Sequence, residues 1–304
     1  MIFFKKSEDD YFMKIRVIVD SSCDLSKEIS ERYDYNTTPL MVQFGEKTYR
    51  DRIEITTKEL LEKYEQSKKE KKETLPKTSA LNVNDLITIF TLELNHYDHI
   101  FFMPISSNIS SIYNNAILAA REMKCEDKIT ILDSKSLSSG TGLLLIGILE
   151  DIKASLSLEE IKKRHENRVN KVYMRFVIDT MEFLHKGGRC SGMTYLIGSA
   201  LKLHPIIKLE DGKMSVHKIT RGKDVIKGIK SMFDEFMTDF ENDNIDFSYP
   251  ILIPNVEAEK SCKELAHLLK DKVGDKMVYP VSASAVIACH CGKNTCGLAY
   301  MKKN

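Results

Sequence analysis

Short apolar runs alternate along this chain with stretches in which apolar residues recur every three or four positions, the pattern of strands followed by helices. The first run, Lys14 to Val19, ends in Asp20-Ser21-Ser22, and a helical pattern follows from Ser26 to Tyr33. Thr38 to Tyr49 has strand character around a turn at Gly45. Lys58 to Lys77 is rich in Lys and Glu and reads as a solvated helix and loop, with Pro76 just ahead of Thr78 and Ser79. His99 to Ile105 reads as a buried strand, and Ser106-Ser107-Asn108 as the loop after it. Apolar residues then fall at Ile109, Ile112, Ala116, Ile117, Ala120 and Met123, which is helical spacing, with Asn108 or Ser110 as the expected cap. A second unit repeats the design: a strand over Ile129 to Leu132, the loop Asp133-Ser134, and a helix from Ser138 to Ala154. Ser157-Leu158-Glu159-Glu160 matches a capping box and opens the bridge to the second half.

Beyond the bridge, Tyr173 to Ile178 is strand-like, and Thr180 to Lys186 is a short helix stopped by Gly187-Gly188. A helix is expected over Met193 to Leu203, then a hairpin of Ile206 to Leu209 with Met214 to Ile219 around Asp211-Gly212. Helices fit Gly222 to Phe240 and Glu257 to Lys272. Strands fit Pro250 to Ile253, Met277 to Val281, Ala285 to Ala288 and Leu298 to Met301. The alternation predicts two α/β domains, the first with a mainly parallel sheet and the second with a mixed one. Residues 1–13 are read as an N-terminal extension, 14–165 as the first domain and 166–304 as the second.

Charge and composition narrow the functional classes. A formal net charge of +1 gives no argument for nucleic acid. The longest apolar runs, Ile100 to Ile105 and Leu143 to Leu149, are too short to cross a bilayer, so no stable membrane insertion is expected. The opening MIFFKKSEDDYF lacks the order of a signal peptide. The seven cysteines are odd in number and mostly scattered, which points to a reduced, cytoplasmic setting.

The common catalytic signatures GxGxxG, GxxxxGK[ST], HExxH and GxSxG are missing, and no nucleophile stands with a paired base, so no catalytic residue is assigned. Gly140 and Gly142 open a helix without the lysine of a phosphate loop; a close helix–strand contact explains them better. Cys289-His290-Cys291 with Cys296 is the one candidate metal cluster. On a strand, His290 would face away from both neighbouring cysteines, so no metal is expected there. Serines placed after strand ends are more informative. Ser106 and Ser107 follow a strand and precede a helix N-terminus, whose free N–H groups and positive dipole end suit an anion. Ser21, Ser22, Thr78, Ser79 and Ser134 follow comparable runs. Singly each reads as a cap; together they describe a hydroxyl-lined cleft for a small anion.

Separated motifs in a fixed order carry a family resemblance: VDSSCDLS (19–26), TPLMVQFGEKTYRDRIEIT (38–56), LPKTSALN (75–82), ISSNISSIYNNAILAA (105–120), ILDSKSLSSGTG (131–142), MEFLHKGGRCS (181–191), LHPIIKLEDGKM (203–214), TRGKD (220–224) and ACHCGKNTCGL (288–298). On these the chain resembles the DegV family, whose characterised members are the fatty acid-binding FakB subunits of bacterial fatty acid kinase. The resemblance implies two α/β domains, with a long-chain fatty acid as ligand in an elongated cavity that the second domain closes. It implies that Thr78, Ser79, Ser106, Ser107 and His290 hold the carboxylate, that Arg189 lies near its opening, and that Arg221 belongs to the surface met by the kinase. It further implies that the kinase uses ATP to phosphorylate the bound carboxylate for phospholipid synthesis, while the binding subunit is not itself an enzyme and needs no cofactor.

The chemistry fits that expectation. Burying roughly fifteen methylene and methyl groups is worth about 12 kcal/mol gross, of which only the surplus over ordering costs appears as affinity. A buried carboxylate needs several donors, and hydroxyls with a neutral histidine supply them. This chain departs from the usual pattern at Ser110-Ser111-Ile112 in place of Ser-Gly-Thr, and at His290-Cys291-Gly292-Lys293-Asn294 in place of His-Thr-Gly-Pro-Gly. It also has Cys190 after the GGR motif and His204-Pro205-Ile206 in place of Lys-Pro-Ile. Two other readings stay open at this point: a carrier of another lipid without a kinase, and an independent hydrolase or metalloenzyme.

Overall fold

The computed structural model describes residues 3–6, 11–72, 74–189 and 202–303. In chain order its first half holds β1 (Phe3–Lys6), β2 (Tyr11–Asp20), α1 (Lys27–Ser30), β3 (Asn36–Thr38), β4 (Met41–Phe44), β5 (Lys47–Arg50), α2 (Thr57–Lys69), β6 (Lys77–Ser79), α3 (Val83–Leu94), β7 (His99–Met103), α4 (Ile112–Glu122) and β8 (Ile129–Ile131). Two helices, α5 (Ser138–Lys153) and α6 (Leu158–Val169), lead on to β9 (Val172–Val177) and α7 (Glu182–Lys186). The rest comprises β10 (Leu203–Glu210), β11 (Lys213–Arg221), α8 (Ile226–Glu241), β12 (Ile251–Val256), α9 (Glu259–Val273), β13 (Val278–Ser282), α10 (Ala285–Cys291) and β14 (Thr295–Met301).

The fold is α/β, as the alternation predicts. In the first sheet β2 pairs in parallel with β3 and β7, and β7 in parallel with β8, so the strand ends at Asp20, Met103 and Ile131 open on one edge. All five residues of β7 are buried, which is why its sequence is a continuous apolar run rather than an alternating one. The second sheet runs β11-β10-β9-β14-β12-β13 and is mixed: β12 and β13 are parallel, the other pairs antiparallel. A small antiparallel sheet, β5-β4-β6, stands beside the first. Helix α5 is buried around almost its whole girth, and one apolar core joins Ile18 and Phe101 of the first sheet to Met174, Phe176 and Leu252 of the second. A helix apolar on every side has to be sandwiched, and this one is. Its glycines permit the contact: a Cβ on Gly140 would lie 3.3 Å from Val172 Cγ1 of β9. Among the described residues no helix is long and apolar enough to cross a membrane.

The N-terminal extension carries β1, which pairs antiparallel with the start of β2 from Phe3 opposite Lys14 to Lys6 opposite Tyr11. Several expectations need correction. Ala285 to Ala288 is no strand but the start of α10. Ser284 caps that helix by accepting Ile287 N–H, and a short apolar run cannot tell the two periods apart. The helix after the double serine starts at Ile112, with Ser111 at its cap position making no side-chain cap bond. The amide of Asn108, expected as a cap, instead donates to Asp211 O at 2.8 Å. Helix α8 begins at Ile226 rather than Gly222, because β11 runs on to Arg221 and Gly222 N–H still bonds Lys202 O. The expected helix from Met193 lies outside the described residues up to its last positions, and Leu203 opens β10.

Candidate functional site

Two small elements distant in sequence build the site. Pairing of β6 with β4 sets Val42 opposite Thr78 and holds the segment after Pro76 extended. From the other side comes α10, whose last turn carries His290. There Thr78 Oγ1 and His290 Nε2 are 2.8 Å apart. The turn after α7 backs the imidazole: a Cβ on Gly187 would sit 2.5 Å from His290 Nδ1, so only glycine fits. Gly188 follows in the left-handed region at φ 70°, again glycine's territory. Arg189 comes next, half-buried, and its guanidinium donates to Gly187 O at 2.6 Å.

Burial, and then the positive charge of Arg189, push the His290 pKa down to about 4, so the ring is neutral at pH 7. Its Nδ1 is buried and has no hydrogen-bond partner among the described residues. An orphaned buried N–H is rarer than an orphaned acceptor. That assigns the proton to Nε2, which donates to Thr78 Oγ1 and leaves the threonine hydroxyl hydrogen to be given onward.

The pair lines a cavity of about 110 Å³. Its polar lining comes from Thr78, Ser79, Ser110, Ser111, Arg189 and His290. Its other walls are apolar, with Leu40, Ile105, Leu137, Leu184 and Ile287 among them. Past Leu137, Ile287 and Cys291, a further small void of about 10 Å³ reaches Met174, Phe176 and Pro254 of the second sheet. A second hollow of about 380 Å³ shares Thr78, Arg189 and His290 with the first and is also lined by Lys77 and Lys186. This arrangement can orient an anionic head group beside an apolar tail: it presents hydroxyls, a neutral imidazole and a guanidinium.

Of the residues singled out in the sequence, Thr78, Ser79, Arg189 and His290 meet at this cavity. Ser106 and Ser107 do not. Ser106 Oγ is buried and donates to Gly212 O at 2.8 Å, holding the β10–β11 hairpin tip. Ser107 Oγ donates to Asp133 Oδ2 at 2.6 Å, and its N–H reaches Oδ1 of the same carboxylate. The hydroxyls that line the cavity from this loop are those of Ser110 and Ser111, just ahead of α4. Their signal lay in the register of the helix, whose first buried position is Ile112. The other serines expected at the rim are also turned inward: Ser21 to Asp51, Ser22 to Asp20 and Ser134 to Ser136 O. Arg221 ends β11, exposed and away from the cavity. Cys190 lies outside the described residues.

No group of three or more His, Cys, Asp and Glu side chains is placed to hold a metal among the described residues. The face-alternation reasoning does not apply, since Cys289, His290 and Cys291 lie on a helix, where successive side chains point about 100° apart. Burial pushes the Cys291 thiol up to about 12 and that of Cys289 higher, so neither is a ready thiolate.

A first sheet parallel through β3, β2, β7 and β8, a mixed second sheet, and a cavity lined by residues of both halves define a two-domain α/β protein. The chain belongs to the DegV family: the family model described as "Uncharacterised protein, DegV family COG1307" matches residues 14–303. A DegV domain-containing protein of Clostridium perfringens, CPE1310, is 30% identical over 290 residues, covering 95% of this chain and 99% of that one. A Thermus thermophilus structure titled for fatty acid binding of a DegV family protein superposes with a TM-score of 0.80 at 26% identity, covering 95% of this chain and all (100%) of the other. The Streptococcus pneumoniae fatty acid kinase B3 protein, solved loaded with linoleic acid, shares the fold with a TM-score of 0.78 at 20% identity, over 95% of this chain and 99% of that one.

Proposed function

We propose that this protein binds one long-chain fatty acid, with its carboxylate at the polar lining of the cavity and its acyl chain among the apolar walls. The observation that carries this reading is the 2.8 Å contact between Thr78 Oγ1 and His290 Nε2, a pair that lines both hollows. Neutral His290 holds the Thr78 oxygen, and the threonine hydroxyl donates to the carboxylate. Ser79, Ser110 and Ser111 line the same cavity, and Arg189 supplies the positive charge that a desolvated carboxylate needs. The fatty acid-binding relatives support this choice of ligand over other amphiphiles. Delipidated protein titrated with a labelled long-chain fatty acid should saturate at one equivalent; failure to bind would remove the reading.

The second half of the proposal assigns the chemistry to a partner. The full sequence holds no glycine loop ending in lysine, so nothing in it cradles a nucleotide triphosphate in the familiar way. The protein then positions the acceptor carboxylate for an ATP-dependent kinase subunit, and acyl phosphate forms on that encounter. Exposed Arg221 is assigned to the docking surface, where a planar, permanently charged group suits a partner carboxylate. On this reading the protein acts in the cytoplasm, and the two domains meet at the cavity, the first supplying Thr78 and the second His290.

A further inference from the structure

Two of the residues that crowd behind α10 hold strained backbones. Arg52 at φ 64° and Ser138 at φ 51° both occupy the left-handed region that side chains with a Cβ avoid. They lie in different elements, yet both point at one fully buried carboxylate, Asp24. The Arg52 guanidinium pairs with Asp24 Oδ1, and Ser138 Oγ donates to Oδ2 at 2.5 Å. The N–H of Ser284, the cap residue of α10, donates to Asp24 Oδ1 at 3.0 Å. Beside it Asp51, also buried, accepts the next N–H of the helix, from Ala285, at 3.1 Å, together with Ser21 Oγ at 2.6 Å. Arg52 Nε further donates to Ser21 O at 2.9 Å. Three chain segments, 21–24, 51–52 and the start of α5, therefore close on the first turn of one seven-residue helix.

A helix this short does not need two buried acids to stand. Ser284 already caps it through Ile287 N–H. The extra grip is costly in kind: both acids lie out of water, Arg52 acts on both, and Asp51 makes Asp24 harder to ionise. Burial outweighs the help of Arg52 and pushes the Asp24 pKa up to about 7. Strained backbone and awkward charge persist where the surrounding structure fixes a geometry that function uses. The geometry fixed here lies at the other end of α10. His290 is five residues past Ala285, so about 7.5 Å along the axis, and the short rigid helix transmits any shift of its start to the imidazole.

We infer that Asp24 and Asp51 are positioning residues, which grip the first N–H groups of α10 and thereby aim His290 at Thr78. This rests on the reading that the Thr78–His290 pair holds the ligand carboxylate, but its geometric content does not. Neither acid lines the cavity, so each acts through His290.

The test uses the full chain with Asp24→Asn, and Asp51→Asn as a second, milder variant should the first fail to fold. Asp151→Asn is the comparison: Asp151 is another buried carboxylate, paired with Arg168 and Arg164 at the α5–α6 contact, away from α10. Two readouts are taken: the His290 titration by ring-nitrogen NMR in ligand-free protein, and retention of labelled palmitate. The Asp24 and Asp51 variants should move the His290 midpoint from about 4 toward the ordinary value near 6.5 and weaken palmitate retention about tenfold. Asp151→Asn should lower the melting temperature and move neither. If Asp24→Asn or Asp51→Asn merely destabilises, with His290 titrating and palmitate held as in the wild type, the acids are ordinary structure and the inference fails. A wild-type chain that binds no palmitate would refute the proposed function instead, and the His290 titration would still decide the role of the acids.

Discussion

Thr78 Oγ1 and His290 Nε2 meet at 2.8 Å across 212 positions of sequence. The contact joins the small β-sheet to the last turn of α10. With the histidine neutral and giving its Nε2 proton to the threonine oxygen, the two side chains work as one donor. Thr78→Val removes the hydroxyl at little change in volume and should weaken fatty acid retention by about 1–3 kcal/mol. His290→Gln should weaken it too, and the double variant should cost clearly less than the sum, because residues in one hydrogen-bonded unit are not additive. Displacement titrations on the four proteins measure this; strictly additive losses would show that the two side chains act separately.

The serines after β7 separate two accounts of the loop. Ser107→Ala removes a bond to Asp133, outside the cavity, and should lower stability by about 1 kcal/mol while leaving fatty acid retention unchanged. Ser110→Ala removes a hydroxyl from the cavity lining and should weaken retention. Denaturant melts paired with binding titrations check both, and weaker retention in Ser107→Ala with an intact Ser110→Ala would return the carboxylate to the double serine.

That contrast shows what local sequence can and cannot reveal. The α/β alternation, the fully buried run of β7, the capping box at Ser157 and the hairpin at Asp211-Gly212 were legible because each rests on neighbours within a few residues. Thr78, Arg189 and His290 came from motif resemblance rather than from any periodicity. The partners of Ser106 and Ser107 lie 106 and 26 residues away, and a serine that follows a strand looks the same whether it faces a ligand or a backbone carbonyl. Helix α10 has the sequence pattern of a buried strand because its apolar residues are buried on every side. The bonds that select helix there come from Ser284, Asp24 and Asp51, two of them from the opposite end of the chain.

Histidine burial gives a pH signature. Desolvation pushes the His99 pKa down to about 4, and its side chain is buried against Thr130. Between its unfolded value near 6.5 and its folded value, the unfolded chain holds a proton on His99 that the native state does not, so lowering the pH through that window favours unfolding. Asp24, whose pKa is raised, changes stability in the opposite sense over the same range, so the net curve is not diagnostic. The difference between wild type and His99→Gln is: the variant should gain on the wild type by up to about 3 kcal/mol as the pH falls from 6.5 to 4. Denaturant melts at a series of pH values measure it, and a difference that stays constant with pH would mean His99 titrates normally.

The kinase assignment stands apart from the pocket. With ATP and a fatty acid but no partner, the protein should form no acyl phosphate; with a cognate kinase subunit it should. Arg221→Glu reverses the charge on an exposed strand end and should abolish that phosphorylation with lipid content unchanged. Loss of lipid from the variant would place Arg221 in the pocket or the fold, and acyl phosphate formed by the protein alone would overturn the division of labour.

The central claim is that the cavity is built for a fatty acid. A ligand buried this way survives purification, so the direct measurement is mass spectrometry of lipid released from the purified protein by denaturing extraction, quantified against protein. The account predicts close to one long-chain fatty acid per chain, and a marked loss in the Thr78→Val, His290→Gln double variant. Protein that releases no fatty acid, and that after delipidation takes up none when offered, would contradict it.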